Sequence, residues 1–88
     1  MSDGGYLVYI LRCGDGSLYC GCTADLEARI ALHRAGRGAR YTRGRGPLEL
    51  VYQERWPDRG SAMRREAELK RIPRSEKLRL IAQTSDGG

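Results

Sequence analysis

Residues 6–23 read YLVYILRCGDGSLYCGCT, and the rest of the chain is laid out around this stretch. Tyr6 to Cys13 is a compact β-branched and aromatic run of strand composition. One set of alternate positions is Leu7, Tyr9, Leu11 and Cys13; the other is Tyr6, Val8, Ile10 and Arg12, and both are mostly apolar. A strand apolar on both faces belongs in the middle of a sheet, covered on each side. Gly14-Asp15-Gly16 is a turn, and Ser17 to Thr23 is the returning strand of a hairpin. The spacing admits two registers. A two-residue Asp-Gly turn pairs Gly14 with Ser17 and sends Tyr9 and Tyr19 to opposite faces. A three-residue turn with Gly16 left-handed pairs Leu11 with Tyr19 and Tyr9 with Gly21. That second register makes the tyrosines diagonal neighbours on one face and leaves bare backbone at Gly21.

Downstream, Thr23 or Asp25 caps a helix that runs to about Ala35 and ends at Gly36. At about 100° per residue, Leu26, Ile30, Leu32 and His33 mark an arc turned to the sheet, with Glu27 and Arg34 opposite. Arg29 falls in the middle of that arc, where a charge needs a partner. Residues 36–46, GRGARYTRGRG, form a flexible basic loop in which Arg37, Arg40, Arg43 and Arg45 surround Tyr41 and Thr42. Leu48 to Trp56 sets Leu48, Leu50, Tyr52 and Trp56 against Glu49, Gln53 and Arg55, a third strand with one wetter face. Pro57 to Gly60 is a turn, and Ser61 caps a helix that starts at Ala62. Glu66 lies on the packed side of that helix with Ala62 and Leu69. Pro73 breaks it, and Arg74 to Ala82 is a final short helix. The expected organisation is a disordered N-terminus at 1–5, one domain at 6–82 and a disordered tail at 83–88.

A chain of 88 residues has room for one core, and it buries only about 60–65% of its unfolded surface. Hydrophobic residues make up 40% and charged residues 31%, with no run long enough to span a membrane. Met1 to Gly5 have no secretory pattern, so the cytoplasm is the expected compartment. The net charge is +5, and most of the 16 basic residues are arginine. Arginine pairs its planar fork with phosphate bidentately, which points to a polyanionic partner. Cys13, Cys20 and Cys22 are odd in number and lack a Cys-x-x-Cys pair, so they read as packed thiols and not as a zinc site.

Tyr9, Tyr19, Arg29 and Glu66 are the polar groups that this layout points inward or onto a strand face. Phosphodiester hydrolysis needs a proton acceptor for water, positive charge for the phosphoryl oxygens and often a carboxylate-bound cation. A tyrosine accepts a proton only if a nearby cation lowers its pKa, a task for an adjacent arginine. A lone carboxylate suits Mg²⁺, which keeps most of its waters and takes further oxygens from substrate phosphate. Plain structural uses also exist. The tyrosines serve as core aromatics, Arg29 and Glu66 as a buried ion pair, His33 as a satisfied polar residue and the loop as solvated surface.

The ordered set of motifs resembles the GIY-YIG nuclease domain, particularly its small stand-alone bacterial members. The first motif stands as Leu7-Val8-Tyr9 and the second as Tyr19-Cys20-Gly21. They are followed by Asp25 to Arg29, the stretch from Gly38 to Gly44, Pro47 to Tyr52, and Arg64-Arg65-Glu66. The likeness spans residues 6 to 82; Leu7 replaces the leading glycine and Cys20 the central isoleucine, and neither removes a chemical group. What the resemblance implies is an α+β fold, a small three-stranded antiparallel sheet flanked by helices, with both tyrosines on one face. It further implies a metal-dependent DNA endonuclease. In that reading Tyr9 activates water with Tyr19 beside it, Arg29 supports the phosphate, Glu66 binds Mg²⁺ or Mn²⁺, and His33 lines the site. Arg37, Arg40, Tyr41, Arg43 and Arg45 are the expected DNA contacts, mainly to backbone, with steep salt dependence. Branched or flapped DNA, a directing protein partner and a role in repair or recombination are the associated expectations. Two alternatives stand beside it: a non-catalytic nucleic-acid-binding module on the same fold, and a protein-interaction adaptor.

Overall fold

The computed structural model describes residues 5–38 and 42–86, with side chains as far as residue 83. Arg40 and Tyr41 therefore lie outside the described residues. The elements are β1 (Tyr6–Arg12), β2 (Leu18–Thr23), α1 (Leu26–Arg34), β3 (Glu49–Trp56), α2 (Arg59–Arg71) and α3 (Arg74–Asp86). They build a three-stranded antiparallel sheet in the order β2-β1-β3.

β1 is the central strand because its sequence is apolar on both faces. Val8, Ile10 and Leu11 are fully buried and Tyr9 is 1% exposed. The hairpin takes the three-residue turn: Gly16 has φ +88°, and the Cys13 N–H donates to the Ser17 carbonyl at 2.8 Å. Leu11 therefore pairs with Tyr19 and Tyr9 with Gly21, and both tyrosines share a face. The Asp15 carboxylate accepts from the Ser17 N–H and hydroxyl and closes the turn.

Each sheet face has its own core. On one side Tyr9, Leu11, Cys13 and Leu48 pack with Tyr19, Leu26, Ile30 and Leu50, under α1. On the other, Val8, Ile10, Cys20, Ala62 and Leu69 pack with side chains of β3, α2 and α3. β3 feeds both through a bulge. Ile10 pairs with Tyr52 and Leu11 with Leu50, so Val51 is the extra residue. This corrects the simple alternation read from the sequence: Leu48 and Leu50 join the α1 side, whereas Tyr52 and Trp56 join the α2 side.

Helix boundaries follow the caps. Of the two capping candidates before α1, Asp25 is the N-cap, accepting from the Ala28 N–H at 3.1 Å, and Gly36 with φ +77° follows the last turn. α2 starts at Arg59 and not at Ala62, because Asp58 is its cap and accepts from the Ser61 N–H at 2.7 Å. α3 continues to Asp86, four residues beyond the end read from the sequence, and residues 1–4 and 87–88 of the expected termini lie outside the described residues. The sequence contains no helix breaker between Ala82 and Asp86, which removes any reason to stop earlier. All three cysteines are free thiols. Among the described residues no helix is long and apolar enough to cross a membrane.

Candidate active site

The register of the hairpin brings the first candidate groups together. Tyr9 and Tyr19 have ring centroids 6.3 Å apart, and Gly21 opposite Tyr9 supplies the space the tyrosine needs. A Cβ at Gly21 would stand 2.6 Å from Tyr9 Oη and 3.2 Å from Tyr19 Cε2. α1 then lays His33 over the pair. His33 is 2% exposed, its Nε2 is 2.9 Å from Tyr9 Oη, and its ring meets that of Tyr19 edge-on at 5.3 Å.

The second imidazole nitrogen is engaged as well. His33 Nδ1 lies 3.0 Å from Thr42 Oγ1, and Thr42 is itself 2% exposed. Tyr9, His33 and Thr42 thus form a buried hydrogen-bonded row running from β1 through α1 to the basic loop. Gly38 lets the loop close over it, since a Cβ there would stand 2.3 Å from His33 Nδ1. Thr42 and Gly38 were legible only as loop residues; no pattern in the sequence marks a hydroxyl that orients an imidazole.

Burial sets the protonation states. It holds the Tyr9 hydroxyl well above the ordinary phenol range, aided by Tyr19, while Arg29 pulls the other way without prevailing. The expectation that an adjacent arginine lowers the tyrosine pKa is therefore half right: the pull exists, and desolvation outweighs it. Burial also raises Tyr19. His33 is pushed below its usual value by burial first and by Arg29 second, which favours the neutral imidazole at pH 7.

Arg29 and Glu66 approach from opposite faces of the sheet around the β2 edge. Arg29, half-buried on α1, lines a cavity of about 300 Å³ together with Cys22, Thr23, Arg59 and Met63. Glu66, on α2, takes a thiol hydrogen bond from Cys22 and an ion pair from Lys70 Nζ at 2.9 Å. Burial and then the Glu66 bond push the Cys22 thiol up to about 11. Among the described residues no ion pair joins Arg29 to Glu66, which removes the structural-pair alternative in its simple form. The anomalous inward charges seen in the sequence are not each other's partners, yet both act electrostatically on Tyr9 and Tyr19.

The basic loop is placed beside this row. Its far end is tied to the hairpin turn by Arg45, whose Nη1 is 2.6 Å from Asp15 Oδ2 and whose carbonyl accepts from the Gly14 N–H. Arg37 and Arg43 are exposed. Lys70 and Cys22 were not singled out from the sequence as Glu66 contacts. Their signals were the i,i+4 spacing from Glu66 to Lys70 and the position of Cys22 two residues after Cys20 on the same strand face.

Residues 5–79 match the GIY-YIG catalytic domain, and the chain belongs to that family. A UPF0213 protein of Oceanobacillus iheyensis is 51% identical over 79 residues, covering 90% of this chain and 92% of that one. A UPF0213 protein of Natronomonas pharaonis is 51% identical over 77 residues, covering 88% and 91% respectively. Among solved structures, the solution structure of a UPF0213 protein from Bacillus halodurans is 47% identical, with a TM-score of 0.59. It covers 90% of this chain and 84% of its own. A protein from E. faecalis is 32% identical with a TM-score of 0.63, covering 92% and 86%. The fold and the nuclease family are established by these likenesses.

Proposed function

We propose that the chain is a cytoplasmic, divalent-metal-dependent endonuclease that hydrolyses DNA phosphodiester bonds, with Tyr9, Tyr19, Arg29, His33 and Glu66 as its site. The observation that carries this reading is the buried Tyr9–His33–Thr42 row, with Arg29 and Glu66 near enough for both to act electrostatically on Tyr9.

In this reading His33 carries its proton on Nδ1 and donates it to Thr42, so that Nε2 accepts from the Tyr9 hydroxyl. Tyr9 is too buried to ionise by itself at neutral pH. It takes a proton from water only as its own proton passes to His33, and the neutral state of His33 leaves Nε2 able to accept that proton. Tyr19 walls the water position, and Arg29 offers its guanidinium to the scissile phosphate.

Glu66 suits a divalent cation by its chemistry. Its carboxylate already attracts a cation, the ammonium of Lys70, whose side chain is 53% exposed and therefore leaves at little cost. Among the described residues there is no cluster of three or more His, Cys, Asp or Glu side chains, which fits an ion held by one carboxylate, water and substrate. A bound Mg²⁺ or Mn²⁺ would supply charge for the phosphoryl and leaving oxygens. Branched or flapped DNA as substrate, a directing partner and a place in repair or recombination complete the proposal.

The test is cleavage of labelled linear, flapped and four-way-branched DNA with Mg²⁺ or Mn²⁺, comparing wild type with Tyr9→Phe and Glu66→Ala. Metal-dependent cutting by the wild type, reduced about 10²–10⁴-fold in Tyr9→Phe, is the expected result. Wild-type protein that binds all three DNAs and cuts none with either metal makes the chain a binding module and overturns the nuclease reading.

A further inference from the structure

β2 is an edge strand, and a cavity with two cationic side chains opens at each of its ends. At the Thr23 end, Arg29 and Arg59 line the cavity of about 300 Å³ with Cys22 and Met63. At the Leu18 end, Lys70 and Lys77 line one of about 390 Å³ with Leu18, Tyr19 and Cys20. Glu66 lies between the two, on Cys22 and Lys70.

Neither Arg29 nor Arg59 has an ion pair among the described residues. Lys77 donates to the Ile72 carbonyl at 3.1 Å, a neutral acceptor that leaves its charge uncompensated. By contrast the loop's Arg45 is already paired with Asp15. Uncompensated cations at both ends of one edge strand suit a polyanion laid along it. Six residues of strand span about 20 Å, room for several consecutive phosphates.

We infer that the DNA strand being cut runs along the open edge of β2, with Arg59 holding backbone phosphate on one side of the Tyr9–Glu66 position and Lys77 on the other. The inference rests on the nuclease reading above and adds to it two phosphate-binding residues and a path.

The test is binding of a labelled flapped DNA, followed by fluorescence anisotropy from low to physiological salt without divalent metal, so that no cleavage intervenes. Arg59→Gln and Lys77→Gln are each expected to weaken binding roughly three- to tenfold at low salt and to reduce the log–log salt slope by about 0.9. Arg55→Gln, on β3 at the opposite edge of the sheet, is expected to leave both unchanged. Lys77→Arg is expected to restore the slope, which separates the charge from the hydrogen bond to Ile72. If wild type binds with a steep slope that Arg59→Gln and Lys77→Gln do not alter, the path is wrong while the nuclease reading stands. If wild type does not bind DNA at all, both fall together.

Discussion

Replacing Gly21 with alanine tests the site at its most crowded point. The added Cβ would stand 2.6 Å from Tyr9 Oη and 2.7 Å from its Cζ, where ordinary contact begins near 3.4 Å. Something must move by about 0.8 Å, the difference between the first and last of those distances. The hydroxyl is the far end of a side chain, but it has little freedom. Tyr9 is 1% exposed, packed with Leu11, Cys13 and Leu48, and bonded at 2.9 Å to an imidazole that is itself 2% exposed. Overpacking of this kind costs about 1–3 kcal/mol, and losing the hydrogen bond adds about 1 kcal/mol. For a domain of this size a loss of about 2–4 kcal/mol lowers Tm by at least about 8 °C. In the proposed mechanism, a displacement near 1 Å of Tyr9 lowers cleavage by roughly 10²-fold. Gly16→Ala is the matched control. Its φ is +88° and nothing lies within 4 Å of its Cβ, so it carries backbone strain of about 1–2 kcal/mol and leaves the site alone. Thermal unfolding by circular dichroism and the cleavage assay read the two effects separately. Gly21→Ala protein with a Tm no lower than that of Gly16→Ala and activity within roughly threefold of wild type would refute the close approach of Tyr9 to β2.

Two further outcomes follow from the charges. His33 has a folded-state pKa below its unfolded value near 6.5, so the unfolded chain binds the proton first. The folded state therefore loses stability as pH falls from about 6.5 toward the lower folded pKa, and cleavage in the proposed mechanism falls at the acid end of that window, where the folded imidazole is protonated. Urea titrations from pH 7.5 downward, compared with His33→Gln, check this; an unchanged acid slope in the variant would exclude His33 as its source. On the α2 side of the sheet, Glu54 accepts from Arg65 at 3.0 Å, from Trp56 Nε1 at 2.6 Å and from the Tyr52 hydroxyl. Burial opposes its ionisation, and these hydrogen bonds together outweigh burial and hold it below the usual carboxylate range. Glu54→Gln leaves Arg65, only 27% exposed, without its main counter-charge. About 2 kcal/mol of stability should be lost in urea unfolding, with cleavage per folded molecule unchanged; equal stability would show the network to be surface decoration.

Local pattern carried much of the fold because most of its decisions are local. The two-sided apolar run of β1 demanded a central strand, and Pro73 divided α2 from α3. Where the reading departed, a competing group had been overlooked. Asp58 is a stronger cap than Ser61 in this setting because its carboxylate reaches the Ser61 N–H, which starts α2 at Arg59. The bulge at Val51 leaves no mark in composition; it is forced by pairing across β1, so single-strand alternation placed Leu48, Leu50, Tyr52 and Trp56 on one face when they divide between two.

The candidate site was legible by a different logic. Arg29 and Glu66 stood out because each occupied an inward arc of an amphipathic helix, a place that a charge does not take without reason. Inward placement could not say where the two meet, since one helix covers one face of the sheet and the other helix covers the other. The edge strand resolves this. β2 is a single strand's width, with Tyr19 and Gly21 turned to α1 and Cys20 and Cys22 turned to α2, so groups from both helices reach its open side. A central strand would have kept them apart by a layer of backbone and a neighbour. Gly21 supplies the room on one face, and the small side chain of Cys22 reaches Glu66 on the other. The small residues Gly21 and Cys22 thus have a steric reason: bulk at either position would push one half of the candidate site away from the other.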